Sequence, residues 1–316
     1  MRTKTIILFL SLFVCIGISA NGGIDKQTFT YSVKDGNTLQ LDKYSLKNEN
    51  VNEAKPCIIF MFGGGFANGK RDDNYYVEYF NKLVNKGYIV VSIDYRLGMK
   101  NIGLQTDLMR SVVTLNNSIS MAVEDLFDAT LFVIEHADEW KVDKNAIIAN
   151  GSSAGAISVL QGAYNISNKT KLAQVLPADF NYAGVISFAG AIFSMDGDLK
   201  WKDAPAPIQM FHGDADSNVP YDKIEMYNIG FYGSKHIAEQ FDSLNYPYFF
   251  HKIEDAAHEI ANDPMVDNLD EINIFIDRLV LDKKQLMINT VVKQIGKPRM
   301  KKDFQIEDYI KANSGN

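Results

Sequence analysis

Five residues, Gly151-Ser152-Ser153-Ala154-Gly155, set a serine between two glycines at the spacing G-x-S-x-G. They follow the apolar run 146–149 and precede a helix-like stretch, 156–164. Strand, tight turn and helix make the setting in which a serine hydroxyl becomes a nucleophile. The turn holds the serine at its apex in a strained backbone, and a Cβ at either flanking glycine would meet the neighbouring strand or helix. Ser153 would then aim its Oγ into a cleft at the positive end of the following helix. By itself the pattern also fits an ordinary Gly/Ser turn, so the weight falls on what else the chain supplies.

Acyl transfer by serine requires a base for the proton, an acid to orient that base, and donors for the oxyanion. Five histidines are available as base: His136, His212, His236, His251 and His258. His258 lies just past the last apolar run, 246–253, in a segment that would overhang the carboxyl edge of a sheet. Ser153 is expected at that same edge. His251 falls inside the run. His136 falls in a helical stretch and His236 in a polar helical one, both expected at the surface.

The acid should follow the preceding strand, where the chain reads His212-Gly213-Asp214-Ala215-Asp216. Asp214 and Asp216 are both placed to hold an imidazole, and a plain Asp-rich turn would look the same. For the oxyanion, Gly63-Gly64-Gly65 follow the apolar run 57–62. Three glycines let backbone amides approach a substrate closely. The N–H of Ala154 is the other donor. A phosphate loop is a poor fit, because no lysine follows at that spacing and G-x-G-x-x-G is absent.

The elements that must position these residues are readable. Alternating runs 27–34 and 38–45 flank Asp35-Gly36-Asn37, a hairpin signal. Continuous apolar runs then recur at 57–62, 88–93, 146–149, 182–188, 208–211 and 246–253, separated by helical periods. Wholly apolar strands between helices imply a parallel sheet covered on both faces. Tyr76, Tyr79, Phe80, Leu83 and Val84 share one helix face, which Gly87 ends. Val123, Phe127, Ile134 and Ala137 mark a second helix, and Leu269, Ile272, Phe275, Ile276 and Leu279 a third. Two excursions, 98–118 and 190–205, leave this scaffold and are expected to shape the pocket. The more basic tail beyond Leu281 reads either as an extra helix or as a frayed end.

Length and composition agree. The 316 residues are 46% hydrophobic and 22% charged, enough for one large α/β core. Residues 1–20 read as a signal peptide: Arg2 and Lys4, an apolar run 6–18, and a small-residue exit at Ser19-Ala20. The run is shorter than the roughly 20 residues of a membrane span. Secretion or a periplasmic home follows, with a domain over 21–284, a C-terminal extension over 285–316, and no stable membrane insertion after cleavage. The formal net charge of −7 argues against nucleic acid as a partner. Only Cys57 remains after cleavage, so no internal disulfide can form. No metal-ligand spacing is present, and neither metal nor cofactor is expected.

Taken together, these motifs resemble the α/β-hydrolase superfamily over nearly all of the chain to about residue 282. The order Ser, Asp, His is that of this fold. Met61-Phe62-Gly63-Gly64-Gly65-Phe66 resembles the HGGGF oxyanion loop of carboxylesterases and hormone-sensitive-lipase-like esterases. Residues 91–98, Val-Ser-Ile-Asp-Tyr-Arg-Leu-Gly, are similar to the strand that follows it there, with Asp94-Tyr95-Arg96 expected to be a structural hydrogen-bonding element. Gly151–Ala156 look like their nucleophile elbow. His212-Gly-x-x-Asp216 resembles their acid loop, which favours Asp216 over Asp214. One departure is Phe62, which stands where those esterases usually carry histidine.

The resemblance implies an α/β-hydrolase fold, with a mostly parallel central sheet of about eight strands and helices on both faces. It also implies a serine carboxylic ester hydrolase: Ser153 as nucleophile, His258 as base, Asp216 as acid, and Gly64, Gly65 and Ala154 around the oxyanion. The expected substrate is a small-molecule or glycan ester with a small or medium acyl group. The rivals are an acylated-polysaccharide esterase or serine peptidase on the same fold, and a hydrolase fold used only for binding.

Overall fold

The hairpin opens the fold as β1 (Ile24–Lys34) and β2 (Asn37–Leu46), paired antiparallel with Lys34 opposite Asn37. Its two turn residues, Asp35 and Gly36, both have positive φ, 51° and 76°. That is the turn whose twist matches the flanking strands. The computed structural model describes residues 23–47, 53–100 and 108–313. The expected signal peptide lies outside these residues, as does part of the first excursion.

Next come β3 (Lys55–Met61), α1 (Asn74–Asn85), β4 (Ile89–Ile93), α2 (Leu108–Glu135) and the single turn α3 (Ala137–Trp140). They are followed by β5 (Val142–Ser152), α4 (Ala154–Ser167), β6 (Gly184–Phe188), β7 (Ala191–Ser194) and β8 (Ile208–Gly213). The chain continues with β9 (Lys223–Met226), β10 (Ile229–Gly233), α5 (Ser234–Leu244) and β11 (Tyr248–Glu254). It closes with α6 (Pro264–Asp267), α7 (Leu269–Phe275), β12 (Met287–Lys293) and α8 (Ile306–Asn313).

Among the described residues nine strands form the main sheet, in the order β1-β2-β4-β3-β5-β6-β8-β11-β12. Only β2 runs against the others. Every residue of β4, β6 and β8 is buried, as parallel strands covered on both faces require. The cover comes from helices with one apolar stripe. Tyr79, Phe80, Leu83 and Val84 of α1 face the sheet, Asp73 caps its first turn through the amide of Tyr75, and Gly87 ends it at φ 101°. Cys57 is buried in β3, and that burial pushes its thiol up to about 12, which leaves it inert.

Asp94-Tyr95-Arg96 builds a polar girder under the first half of the sheet. Asp94 pairs with Arg71 at 2.5 Å, while Arg96 holds the fully buried Asp125 at 2.9 Å and Glu124 at 2.7 Å.

Three features depart from the sequence pattern. The second half of the first excursion belongs to α2, which starts at Leu108. The other excursion holds β7, which pairs with β10, and β10 with β9, in a separate three-stranded sheet. The tail is neither a lone helix nor a frayed end. Its β12 lies parallel to β11 as a ninth strand, and α8 follows. No helix among the described residues is long and apolar enough to cross a membrane.

Candidate active site

Ser153 stands between β5 and α4 with φ 50° and ψ −116°, a conformation rarely adopted by residues with a side chain. The local packing enforces it. A Cβ on Gly151 would overlap the backbone of Gly155, and one on Gly155 would overlap the Met61 carbonyl at the end of β3. The helix therefore starts hard against the sheet, and the serine is pushed outward. Its amide donates to the Phe188 carbonyl at 2.9 Å.

Ser153 Oγ lies 2.8 Å from His258 Nε2, and His258 Nδ1 lies 2.7 Å from Asp216 Oδ2. Asp216 follows β8 and His258 follows β11, adjacent parallel strands that end at the same edge as β5. With Nδ1–H donating to the carboxylate, Nε2 is left unprotonated to accept the serine proton. Asp216 is fully buried, and its Oδ1 accepts from the amides of Asn218 at 2.8 Å and Val219 at 3.0 Å. Burial alone would raise its carboxyl, but hydrogen bonds from His212 and His258 outweigh burial and hold it well below the usual carboxylate range. It is therefore an anion at neutral pH, as an orienting acid must be.

Asp214 is engaged elsewhere. Its Oδ1 accepts from the Asp255 amide at 2.8 Å, and its Oδ2 meets Lys302 at 3.0 Å. Of the two aspartates the sequence left open, the fold brings Asp216 to His258.

Among the other histidines, His251 is sandwiched in β11 with its ring stacked on Phe211 at 4.1 Å, and burial lowers its pKa to about 3. His236 was expected at the surface; it is instead buried on α5, bonded to Asp198 at 2.7 Å. The polar helix around it turns this one face inward, which sequence polarity concealed. His136 is half-buried against Phe132. His212 is buried beside the acid, its Nε2 3.4 Å from Asp216 Oδ2.

The glycine loop lies against Ser153. A Cβ on Gly63 would approach Ser153 Cβ to 3.1 Å. Gly64 and Gly65 have φ 127° and 61°, and the Gly64 carbonyl accepts from Ala67 and Asn68 at 3.0 Å. The amide of Gly63 donates to the Tyr76 hydroxyl at 3.2 Å. Those of Gly64, Gly65 and Ala154 bond no other protein group among the described residues. Tyr76 and Tyr95 support this loop through their hydroxyls; the sequence marks Tyr76 as a helix-face residue and Tyr95 as part of a structural hydrogen-bonding element, but ties neither to the glycines.

One group among the described residues, Asp222, His236 and Glu239, could close on a cation, with donor atoms within 4.8 Å of one another. Lys235 already faces Asp222 at 2.5 Å and Glu239 at 3.6 Å, so an ammonium supplies the positive charge there.

Residues 41–196 match the BD-FAE family. Gut esterase 1 of Caenorhabditis briggsae is 29% identical over 43% of this chain, and the cAMP-regulated D2 protein of Dictyostelium discoideum is 31% identical over 38%. The matched stretch spans only 22% and 21% of those relatives. Esterase 2 of Thermogutta terrifontis, in a paraoxon-phosphorylated structure, superposes with a TM-score of 0.57 at 20% identity, covering 83% of this chain and 95% of that one. Its propionate-bound structure gives 0.57 at 21% identity over the same shares. Residues 41–196 are thus similar to the BD-FAE family, and the fold over 83% of the chain is that of the Thermogutta esterase 2 structures.

Proposed function

We propose that the protein is a serine carboxylic ester hydrolase that works through an acyl-enzyme on small or medium acyl esters. The hydrogen-bonded series from Ser153 Oγ through His258 to Asp216 carries this reading. Ser153 Oγ attacks the ester carbonyl while His258 Nε2 takes its proton. The amides of Gly64, Gly65 and Ala154 receive the oxyanion. His258 then protonates the departing alkoxide, water attacks the acyl-serine by the same route, and the carboxylic acid leaves. Asp216 stays ionised and stabilises the imidazolium. Thermogutta esterase 2 has been captured with propionate and with butyrate, which favours a short acyl group here by analogy of fold.

Residues 1–20 support secretion or a periplasmic location, and the first residue of the protein recovered from its native host tests that. The activity is tested with p-nitrophenyl esters from acetate to decanoate, comparing the wild type with Ser153→Ala. Loss of about 10⁴-fold or more in kcat is expected. Equal rates in the two proteins would remove Ser153 from the mechanism.

A further inference from the structure

Beyond β12 the chain returns across the carboxyl edge of the sheet and touches both loops that carry the proton relay. Those loops are already zipped to each other. Asp214 N donates to the Ile253 carbonyl at 3.0 Å and Ala215 N to the Ala256 carbonyl at 2.9 Å. Asp255 N donates to Asp214 Oδ1 at 2.8 Å. Asp216 lies two residues past Asp214, and His258 three past Asp255.

The zipper has an electrostatic fault. The side chains of Asp214 and Asp255 are only 4% and 6% exposed and stand side by side as like charges. Lys302 closes it, with Nζ 3.0 Å from Asp214 Oδ2 and 3.0 Å from Asp255 Oδ1. The same segment adds the Met300 amide to Asp255 Oδ1 at 3.1 Å. Lys297 pairs with Glu259, the neighbour of His258, at 3.2 Å. At its far end Asn313 donates to the Asn218 carbonyl at 3.0 Å, and the Asn218 amide is one of the two that hold Asp216.

An exposed ion pair contributes little on its own. This ammonium is different, because it bridges two nearly buried carboxylates: without it Asp214 keeps Lys252 at 3.4 Å, while Asp255 faces that carboxylate with no cation between them. The relief open to them is separation of the two loops, which moves Asp216 relative to His258. A misplacement of about 1 Å in a reacting geometry can lower a rate by about 10²-fold.

We propose that residues 297–313 form a clamp that fixes the Asp216–His258 register, with Lys302 as its positioning residue. The proposal rests on Ser153, His258 and Asp216 being the catalytic relay. The test compares wild type, Ser153→Ala, Lys302→Ala and Lys302→Arg on p-nitrophenyl butyrate, with the folded fraction of each followed by circular dichroism. Lys302→Ala is expected to lower kcat about 10- to 100-fold per folded molecule while KM changes less than about twofold, and Lys302→Arg to recover most of the loss. Should Lys302→Ala fail to fold, Lys302→Gln keeps the stem, drops the charge and carries the same comparison. A wild-type kcat in the folded variant, or a loss that arginine does not restore, overturns the clamp while Ser153→Ala stays dead. Equal rates in wild type and Ser153→Ala overturn the relay and the clamp together.

Discussion

The ring of Phe62 stacks on that of Tyr95, centroids 4.5 Å apart and planes 29° apart, and the Tyr95 hydroxyl donates to the Phe62 carbonyl at 2.9 Å. Both residues are buried. This loop is held by an aromatic clasp and one phenol. The carbonyl it fixes shares its peptide plane with the Gly63 amide, so the clasp anchors the residue from which the Gly64 and Gly65 amides continue. Tyr95→Phe keeps the stack and deletes the bond. It is expected to destabilise by about 1–3 kcal/mol, because a buried carbonyl loses its donor. A fall in kcat of about tenfold with little change in KM is also expected, since in the proposed mechanism the amides act on the transition state. Steady-state kinetics decide it, and an unchanged kcat would detach the clasp from the oxyanion site.

Asp216→Asn should be far more damaging to rate than to stability. An asparagine can still accept from Asn218 and Val219 through its oxygen, but its amide would donate to His258 Nδ1. That forces the proton onto Nε2, where the base must be free. A loss of about 10³- to 10⁴-fold in kcat is expected, with binding of a non-hydrolysable ester analogue retained. A variant within tenfold of wild type would mean that Asp216 does not orient the base.

His251 predicts an acid-sensitive stability. Its folded pKa is lowered to about 3 by burial, against an ordinary value of 6.5. Between those values the unfolded chain binds a proton that the folded chain refuses, so this group makes stability fall as the pH is lowered from about 6.5 towards 3. The slope from one such group is about 1.4 kcal/mol per pH unit. Denaturant unfolding at pH 7, 6 and 5 should show a shallower pH dependence for His251→Gln than for wild type. Parallel slopes would show that the imidazole is not held neutral.

The sequence announced the parts of the protein whose local chemistry is extreme. Gly151 to Gly155, the glycines at 63–65 and the wholly apolar strands each have a composition that few other structures require. The hairpin at Asp35-Gly36 was legible for the same reason. What escaped notice lacks a local signature. In β12 few side chains are even partly covered, so it carries no apolar alternation; it is a strand because β11 offers it an open edge. The short strands β7, β9 and β10 depend on one another across distant parts of the chain. The residues alone leave Asp214 and Asp216 equivalent, and only the resemblance of His212-Gly-x-x-Asp216 to an acid loop favours Asp216; in the fold they differ in what each carboxylate meets, Asp255 and Lys302 for one and His258 for the other. His236 misled because helix polarity averages over faces.

The left-handed backbone at Ser153 has a consequence for how the protein can change. A residue at φ 50° without glycine's freedom lies uphill by about 1–3 kcal/mol, a sizeable fraction of what holds a domain folded. The whole sheet-to-helix junction must be stiff enough to keep it there. Glycine at position 153 would relieve that strain while removing the proposed nucleophile, so selection for heat resistance alone would tend to favour it.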